Sequence, residues 1–347
     1  MIESDIDLKN FCLKIANSFD IAIDTEFKRT DTYFPILCLI QIATDEFLEI
    51  IDPISITDFQ PLINLLKNHK ITWVFHSARQ DLELIFNEFG LLPKKIFDTQ
   101  IAANFLDFDY QISYQAIIEK VCNVSLEKKY TRIDWSKRPL LSGAIDYAAD
   151  DVRYLIKLKN TLEQMLISEK KLDWAEEDFE VLLNQDLYQP DIFKSWKKVK
   201  GFSKINKIKY QYAYAVSAWR EKCAIKKDKP RKWIMSDEQI FSLANGNYSL
   251  SKSKKQDLDS FCEDFKNEIN NFKFDKKINI LTKLESEQKK QLQSSLVTIA
   301  NQYNLKSEVL FNTKSIISFI KTRQKANFQS GWRYSLLKEE LSKWETF

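Results

Sequence analysis

The 347-residue sequence predicts a mixed α/β domain followed by two smaller all-helical domains. Up to about residue 170, short β-branched segments alternate with stretches of helical periodicity. Beyond that point the strand signals disappear, and the pattern indicates short helices interrupted by glycine and proline. The charge also changes sign between the two parts. These three observations divide the chain before any motif is considered.

Four segments of the first part have the composition and alternation of β-strands: 21–27, 37–43, 47–51 and 71–75. A tight turn at 44–46 joins the second strand to the third. Helical periodicity predicts helices at about 59–68, 78–89, 99–106, 113–122 and 143–167. The early strands should therefore form an antiparallel meander, and the later strand, which follows a helix, makes the sheet mixed.

The helical part divides most simply into two domains, which gives three domains at 1–190, 191–270 and 271–347. Polar segments at 186–191 and 270–277 have the composition of linkers. The helices of this part are interrupted at Gly201, Pro230, Gly246 and Gly331.

The two parts of the chain differ strongly in charge. Residues 1–190 contain 20 Lys and Arg against 32 Asp and Glu, whereas residues 191–347 contain 32 against 17. An acidic domain can bind cations, and a basic one can hold a polyanion. Solvated helix faces rich in lysine are the alternative interpretation of the basic part.

The composition argues against several classes of protein. No unbroken apolar run approaches the roughly 20 residues that cross a bilayer, and five dispersed cysteines without a C-x-x-C pair argue against a zinc site or disulfide framework. Two histidines leave little room for a Ser-His-Asp mechanism. Five glycines without a Gly-rich phosphate loop provide no cradle for a nucleotide cofactor. The acidic start is unlike a secretory signal, so we expect a cytoplasmic protein.

The first candidate site is the strand IAIDTEF at 21–27. On a strand, Asp24 and Glu26 point to the same face. Two carboxylates side by side repel each other, unless one is protonated or a cation lies between them. An edge strand that turns both acids toward water is the alternative, and the motif alone leaves both interpretations open.

A second acid follows the predicted strand 71–75, in the segment HSARQDLE. Ser77 is placed to cap the next helix, with Gln80 at capping-box spacing. Asp81 then falls near the start of that helix, at the border of its apolar stripe. Taken alone, Asp81 is explained as an acid that complements the helix dipole.

The third candidate site is the predicted helix SGAIDYAADDVRYL, with Ser142 as its expected cap. Tyr147 and Asp151 are four residues apart and share one face. Asp146 and Asp150 are rotated from them by about 100°, toward solvent. A tyrosine at the margin of the core is the alternative explanation of Tyr147.

Three motifs resemble, in order and spacing, those of the DEDD exonucleases: DTEF, HSARQDLE and YAADDVRYL. The branch with tyrosine four residues before the last aspartate is the one matched. Further segments are similar to the catalytic domain of bacterial ribonuclease D, namely DTEFKRTDTYFPILCLIQIA, FDTQIAA and TRIDWSKRPL. Two others resemble the helicase-and-RNase-D C-terminal (HRDC) domain: AVSAWREKCAIKKDKPRKWIMSDEQIFSLA and GWRYSLLKEEL. The resemblance covers nearly the whole chain and implies a ribonuclease H-like exonuclease domain followed by two HRDC-type domains.

The resemblance also implies a set of catalytic residues, in which two divalent cations, Mg²⁺ or Mn²⁺, are held by four carboxylates. Asp24 bridges the two ions, Glu26 and Asp151 complete the first ion's protein ligands, and Asp81 holds the second largely through water. Ions about 3.5 to 4 Å apart can bind the attacking and leaving oxygens of a phosphodiester displacement. Tyr147 then orients the attacking water, and the terminal nucleotide leaves as a 5′-monophosphate.

Residues that contact the substrate follow by analogy with the family. Phe27 would stack on the terminal base, while His76 and Gln80 would contact the sugar or phosphate. Trp135 and Arg138 offer an aromatic plane and a phosphate-binding fork, although packing explains a tryptophan there equally well. The basic helical part would follow the RNA backbone with lysines and an arginine interleaved with tryptophans, namely Trp196, Lys197, Lys198, Lys200, Lys226, Lys227, Lys229, Arg231, Lys232 and Trp233.

The expected function is therefore a 3′-to-5′ exoribonuclease that trims structured RNA such as tRNA precursors. We expect a monomer with no nucleotide cofactor and no membrane partner. Three alternatives remain open at this point: a related exonuclease that prefers DNA, a nucleic-acid-binding protein whose nuclease domain is inactive, and a structural or interaction protein.

Overall fold

The computed structural model describes residues 1–127, 129–130, 133–274, 281–323, 326 and 328–345. The chain forms two compact units, each built from separate stretches of sequence. Unit 1 contains Met1–Lys28, Leu37–Tyr188 and Leu281–Phe347, and unit 2 contains Arg29–Ile36 and Gln189–Ile280. The division into three domains stays a prediction, and its second linker, 270–277, lies partly outside the described residues.

One five-stranded sheet lies in the N-terminal part of the chain, with the strand order β3-β2-β1-β4-β5. The strands are β1 Asp20–Lys28, β2 Ile36–Ala43, β3 Leu48–Ile51, β4 Thr72–Phe75 and β5 Ile96–Asp98. β2 and β3 form an antiparallel pair, while β4 runs parallel to both β1 and β5. The mixed sheet and its four predicted strands are confirmed. β5 was not predicted, because three residues are too short to show a period of two.

Eight helices precede residue 183 in the described residues. They are α1 Asp5–Ile15, α2 Gln60–Leu66, α3 Arg79–Phe89, α4 Thr99–Asn104, α5 Tyr114–Cys122, α6 Ser142–Arg153, α7 Leu155–Ser168 and α8 Leu172–Leu182. α1 was not predicted, although its buried positions Leu8, Phe11, Cys12 and Ile15 have helical spacing. The prediction of a single helix at 143–167 is wrong, because the helix is interrupted at Tyr154, between α6 and α7.

The packing of the central strands β1 and β4 fixes which side chains of β1 point to each face of the sheet. Ile21 and Ile23 on β1 and Trp73 and Phe75 on β4 are at most 2% exposed. A slip of one residue would turn every side chain of β1 to the opposite face. The end of β1 that carries Asp24 and Glu26 is therefore fixed by the packing of its other end.

Unit 2 is helical, in agreement with the predicted loss of strands. Its α-helices are α9 Tyr210–Lys227, α10 Arg231–Ile234, α11 Asp237–Asn245, α12 Lys252–Asp264 and α13 Lys266–Asn271, preceded by short 3₁₀ turns at Ile192–Lys198, Phe202–Lys204 and Lys207–Lys209. A further 3₁₀ turn, Gln185–Leu187, lies in unit 1. The guanidinium of Arg220 is fully buried and donates to Asp237 at 2.8 Å. This pair ties α9 to the start of α11.

The segment Arg29–Ile36, which connects β1 to β2, belongs to unit 2. The hydroxyl of Tyr33 donates to the buried carboxylate of Glu221 at 2.7 Å, and Arg231 donates two further hydrogen bonds to Glu221. The backbone N–H groups of Tyr33 and Phe34 donate to Asp228. Helix α9 and the residues that follow it therefore hold this segment within unit 2.

The C-terminal helices are α14 Lys283–Gln302, α15 Ser307–Leu310, α16 Thr313–Thr322 and α17 Gly331–Glu345, and they belong to unit 1. Trp332 stacks on Trp174 of α8, with ring centroids 5.1 Å apart. The carboxylate of Asp178 accepts two hydrogen bonds from the guanidinium of Arg333 and one from the indole of Trp332. The C-terminal segment thus packs as part of the core of unit 1. None of the helices in the described part of the chain is both long and apolar enough to cross a bilayer.

Replacement of Asp178 by alanine should reduce the free energy of unfolding of unit 1 by about 2 to 3 kcal/mol, because it leaves the largely buried Arg333 without its partner. Asp109→Ala removes an exposed ion pair with Lys120 in the same unit and should leave the free energy of unfolding almost unchanged. Urea denaturation followed by circular dichroism compares the two variants. Equal losses would contradict the assigned role of Asp178.

Candidate active site

Three of the four predicted carboxylates converge. Asp24 and Glu26 extend from β1 and Asp151 from α6, and one carboxylate oxygen of each lies within 4.8 Å of the others. All three residues are partly buried. The strand period of two and the folding of α6 onto β1 thus bring together acids that are more than 120 positions apart in sequence.

Helix α6 packs against β1 and β3 through small side chains. Its buried positions are Ala144, Ala148, Ala149 and Val152. Alanines allow a close approach to the sheet, and the neighbouring Asp151 is carried toward β1. Ser142 is the first residue of α6 rather than its cap, so the predicted capping by Ser142 is wrong.

Asp81, the fourth acid, lies beside the three but is held separately. It is 7% exposed, and its carboxylate accepts a 2.5 Å hydrogen bond from the hydroxyl of Thr25. Thr25 lies between the two acids of β1 and was not singled out from the sequence. Its position in the DTE motif was the available signal, because a buried threonine must pair its hydroxyl.

The start of α3, which carries Asp81, is fixed by Asp98. The carboxylate of Asp98 accepts the backbone N–H groups of Ser77 at 3.1 Å and Ala78 at 2.7 Å. It also accepts the N–H groups of Gln100 and Ile101, and thereby caps α4. The predicted capping of α3 by Ser77 is wrong, since Ser77 has a positive φ of 66° and α3 has no side-chain cap.

The crowded carboxylates strongly favour their protonated forms in the absence of cations. Burial, then the negative charges of its neighbours, raises the pKa of Asp24 well above its usual range. Burial, with Asp151 and Asp81, raises the pKa of Glu26 to about 8. Burial is also the main cause that raises the pKa values of Asp81 and Asp151 to about 7. Because the carboxylates raise each other's pKa, the site is deficient in positive charge.

This donor set suits a hard divalent cation. Carboxylate oxygens are the ligands that Mg²⁺ and Mn²⁺ prefer, whereas zinc and copper sites use nitrogen and sulfur donors. A cation among Asp24, Glu26 and Asp151 would remove their repulsion and lower their pKa values. The residues present therefore fit the metal chemistry that the sequence predicts.

Tyr147 lies beside the carboxylates on the same face of α6 as Asp151. Its ring packs at 6.5 Å from that of Trp135, nearly parallel, and edge-on to Tyr130. Burial, followed by the charges of Asp151 and Glu26, raises the pKa of the Tyr147 phenol. The hydroxyl therefore stays protonated at neutral pH and can donate a hydrogen bond.

The predicted substrate contacts His76, Gln80 and Phe27 have different surroundings. His76 is engaged within the protein, with Nδ1 2.9 Å from the hydroxyl of Thr99 and Nε2 3.0 Å from the carbonyl of Ile112. Gln80 is exposed, and Phe27 is partly buried against the core. Gln80 and Phe27 keep free surface for a substrate, whereas His76 uses its ring nitrogens to brace the loop that precedes α5.

Trp135 and Arg138 are built into the protein. Trp135 is 3% exposed and packs under Tyr147. All five N–H groups of Arg138 are directed at protein oxygens: the carboxylate of Asp52 and the carbonyls of Cys38, Trp135 and Lys137. Their substrate-binding roles stay predictions, and the geometry favours packing for Trp135 and a structural ion pair for Arg138.

The two tryptophans predicted to bind RNA in unit 2 differ in their exposure. Trp196 packs among Phe202, Phe272 and Phe274. Trp233 is 64% exposed, with the ammonium of Lys229 5.8 Å from its ring centre. Among the predicted tryptophans, only Trp233 therefore offers an aromatic face to solvent.

The carboxylates that converge from β1 and α6, with Tyr147 four residues before Asp151, form the arrangement expected of a 3′-5′ exonuclease of the DEDD type. A family model described as 3′-5′ exonuclease matches residues 1–167.

Comparisons with individual proteins indicate the family within this class of exonucleases. The chain is 39% identical over 249 residues to ribonuclease D of Bartonella henselae, which covers 70% of this chain and 60% of the relative. It is 32% identical over 246 residues to ribonuclease D of Nitrobacter hamburgensis, covering 70% and 64%. The chain thus matches about three fifths of the length of these relatives. The crystal structure of Escherichia coli RNase D superposes with a TM-score of 0.85 at 25% identity, covering 99% of this chain and 97% of that one. The chain belongs to the ribonuclease D family.

The metal-free protein should lose stability as the pH rises from about 5 to 8. Glu26, Asp81 and Asp151 have higher pKa values in the folded state than in the unfolded chain, so folding takes up protons and high pH opposes it. Divalent cations bind the ionised carboxylates, so added Mg²⁺ should raise the melting temperature more at pH 8 than at pH 5.5. Calorimetry in EDTA and in Mg²⁺ at both pH values measures this, and a cation effect that does not depend on pH would contradict it.

Proposed function

We propose that this protein is a metal-dependent 3′-to-5′ exoribonuclease that trims the 3′ ends of structured RNA such as tRNA precursors. The observation that carries the proposal is the convergence of Asp24, Glu26 and Asp151 within 4.8 Å, with Asp81 beside them. The similar E. coli enzyme is described as an exoribonuclease involved in structured RNA processing, and its likeness spans both chains. These two lines of support point to the same function.

Asp24, Glu26 and Asp151 would hold one divalent cation, and Asp81, with Asp24, would hold a second. Bound cations would neutralise the site, polarise the scissile phosphate and favour ionisation of the attacking water. Thr25 orients Asp81 through its hydroxyl, and Asp98 anchors the turn from which α3 starts. The protein's contribution is to hold four anionic groups in place before the substrate arrives.

Tyr147 would position the attacking water by donating a hydrogen bond. Its raised pKa makes the phenol a poor base at neutral pH, so it is assigned to orientation rather than proton removal. Trp135 limits the movement of the ring from one side. The RNA would be held in part by the basic surface of unit 2, where Trp233 and Lys229 combine an aromatic face with a positive charge.

Incubation of purified protein with a 3′-extended tRNA and Mg²⁺ should release 5′-mononucleotides from the 3′ end. Asp24→Ala and Asp151→Ala should each lower kcat at least about a thousandfold, because each removes several kcal/mol of charge stabilisation. Asp146→Ala is the matched control, since this carboxylate lies on the exposed side of the same helix. Circular dichroism checks that each variant is folded.

The outcomes of this experiment separate the alternatives. Internal RNA fragments, or full activity in EDTA, would contradict the proposal. Faster digestion of single-stranded DNA than of RNA would indicate the DNA exonuclease, and a folded wild-type protein without metal-dependent activity would indicate an inactive binding or structural protein.

Tyr147→Phe should lower kcat by about a hundredfold, because the water loses the group that orients it. The Mg²⁺-induced rise in melting temperature should remain, since all four carboxylates are intact. Single-turnover kinetics and calorimetry measure the two effects. Loss of the metal effect would show that Tyr147 acts through the cation site instead.

A further inference from the structure

The break between α6 and α7 lies three residues after Asp151. In a continuous helix, the N–H of Tyr154 would donate to the carbonyl of Asp150. It is directed instead to the carbonyl of Val152, and a new helix begins at Leu155. The segment from 144 to 168 contains neither proline nor glycine, so the common sequence causes of a helix break are absent from it.

The hydroxyl of Tyr114 occupies the place of the missing helix bond. It donates to the carbonyl of Asp150 at 3.0 Å. A side chain inserted into the helix ladder in this way is an established cause of a sharp break.

Tyr114 is itself held firmly. It is the first residue of α5 and 7% exposed, and its ring packs at 5.5 Å from that of His76. His76 in turn bonds to the carbonyl of Ile112, two residues before Tyr114. The hydroxyl therefore reaches the helix from a fixed support.

The inserted hydroxyl lies close to the carboxylate cluster. Burial, followed by the charges of Asp151 and Asp24, raises the pKa of the Tyr114 phenol. Helix α6 packs against β1 and β3, whereas α7 packs against β1, β4, α4 and α5. Because the helix is interrupted after Asp151, α6 and α7 can each pack against their own neighbours. Helix α6 can therefore direct Asp151 toward β1.

We propose that Tyr114 is a positioning residue for the nuclease reaction, whose hydroxyl fixes the end of α6 and thereby the orientation of Asp151 and Tyr147. The inference rests on the proposed function. Tyr114 does not touch the substrate. Without its hydroxyl, the N–H of Tyr154 can return to Asp150, which would join α6 to α7 and turn Asp151 away from β1.

The test is Tyr114→Phe, which keeps the ring and its packing. We expect the affinity for Mn²⁺, measured by electron paramagnetic resonance on protein without RNA, to fall tenfold to a hundredfold, as for other groups that orient a metal ligand. We expect kcat to fall by a similar factor, with KM for RNA changed less than about twofold, because RNA contacts outside the cation site are unchanged.

Tyr188→Phe is the matched control. Tyr188 is buried to the same extent, and its hydroxyl also donates to a backbone carbonyl, that of Leu182 at 2.7 Å. This variant should lose comparable stability while keeping its Mn²⁺ affinity and kcat. If both variants behave alike, Tyr114 has only a structural role and the proposal is overturned.

Amide hydrogen exchange on the wild-type protein gives a test that does not depend on a folded variant. The backbone N–H groups in the last turn of α6 should exchange slowly, because Tyr114 fixes that turn through the carbonyl of Asp150. Fast exchange there, as at a frayed helix end, would also overturn the proposal. If the wild-type protein degrades no RNA, the proposed function fails, but the Mn²⁺ affinities of the two variants still decide the role of Tyr114.

Discussion

Repulsion among buried carboxylates is the constraint on which the rest of this structure depends. Asp24, Glu26, Asp81 and Asp151 oppose folding when ionised, and only the surrounding framework keeps them together. The buried strands β1 and β4 supply part of that framework. The pairing of Asp81 with Thr25 and the anchoring of α3 by Asp98 supply the rest. The packing of the core must offset the free energy of folding that this repulsion costs, as is usual for active sites.

The sequence predicted the elements whose signals are local. The alternation of β1 placed Asp24 and Glu26 on one face, and helical spacing placed Tyr147 beside Asp151, as the structure shows. The mixed sheet followed from the order of strands and helices. These inferences needed only the periods of regular secondary structure.

The features that sequence reasoning missed depend on partners far along the chain. The pairing of Arg138 with Asp52, 86 positions away, was not predicted from the sequence. Ser77 had the spacing of a cap, but Asp98 holds that turn. The helix break at Tyr154 lies in a segment whose own pattern is that of one long helix, and the carbonyl of Asp150 accepts a hydrogen bond from Tyr114, 36 positions before it. No local pattern contains such information, and the fold alone brings these groups together.

The discontinuity of unit 1 has a consequence for biosynthesis. Its sheet is complete by Asp98, but Trp174 and Asp178 meet Trp332 and Arg333 only after more than 150 further residues have been translated. At about 5 to 20 residues per second, that interval is on the order of ten to thirty seconds. During this interval, the emerging chain exposes an aromatic surface that α17 covers later. A nascent chain with such a delay is a natural client for chaperones that shield apolar surfaces at the ribosome.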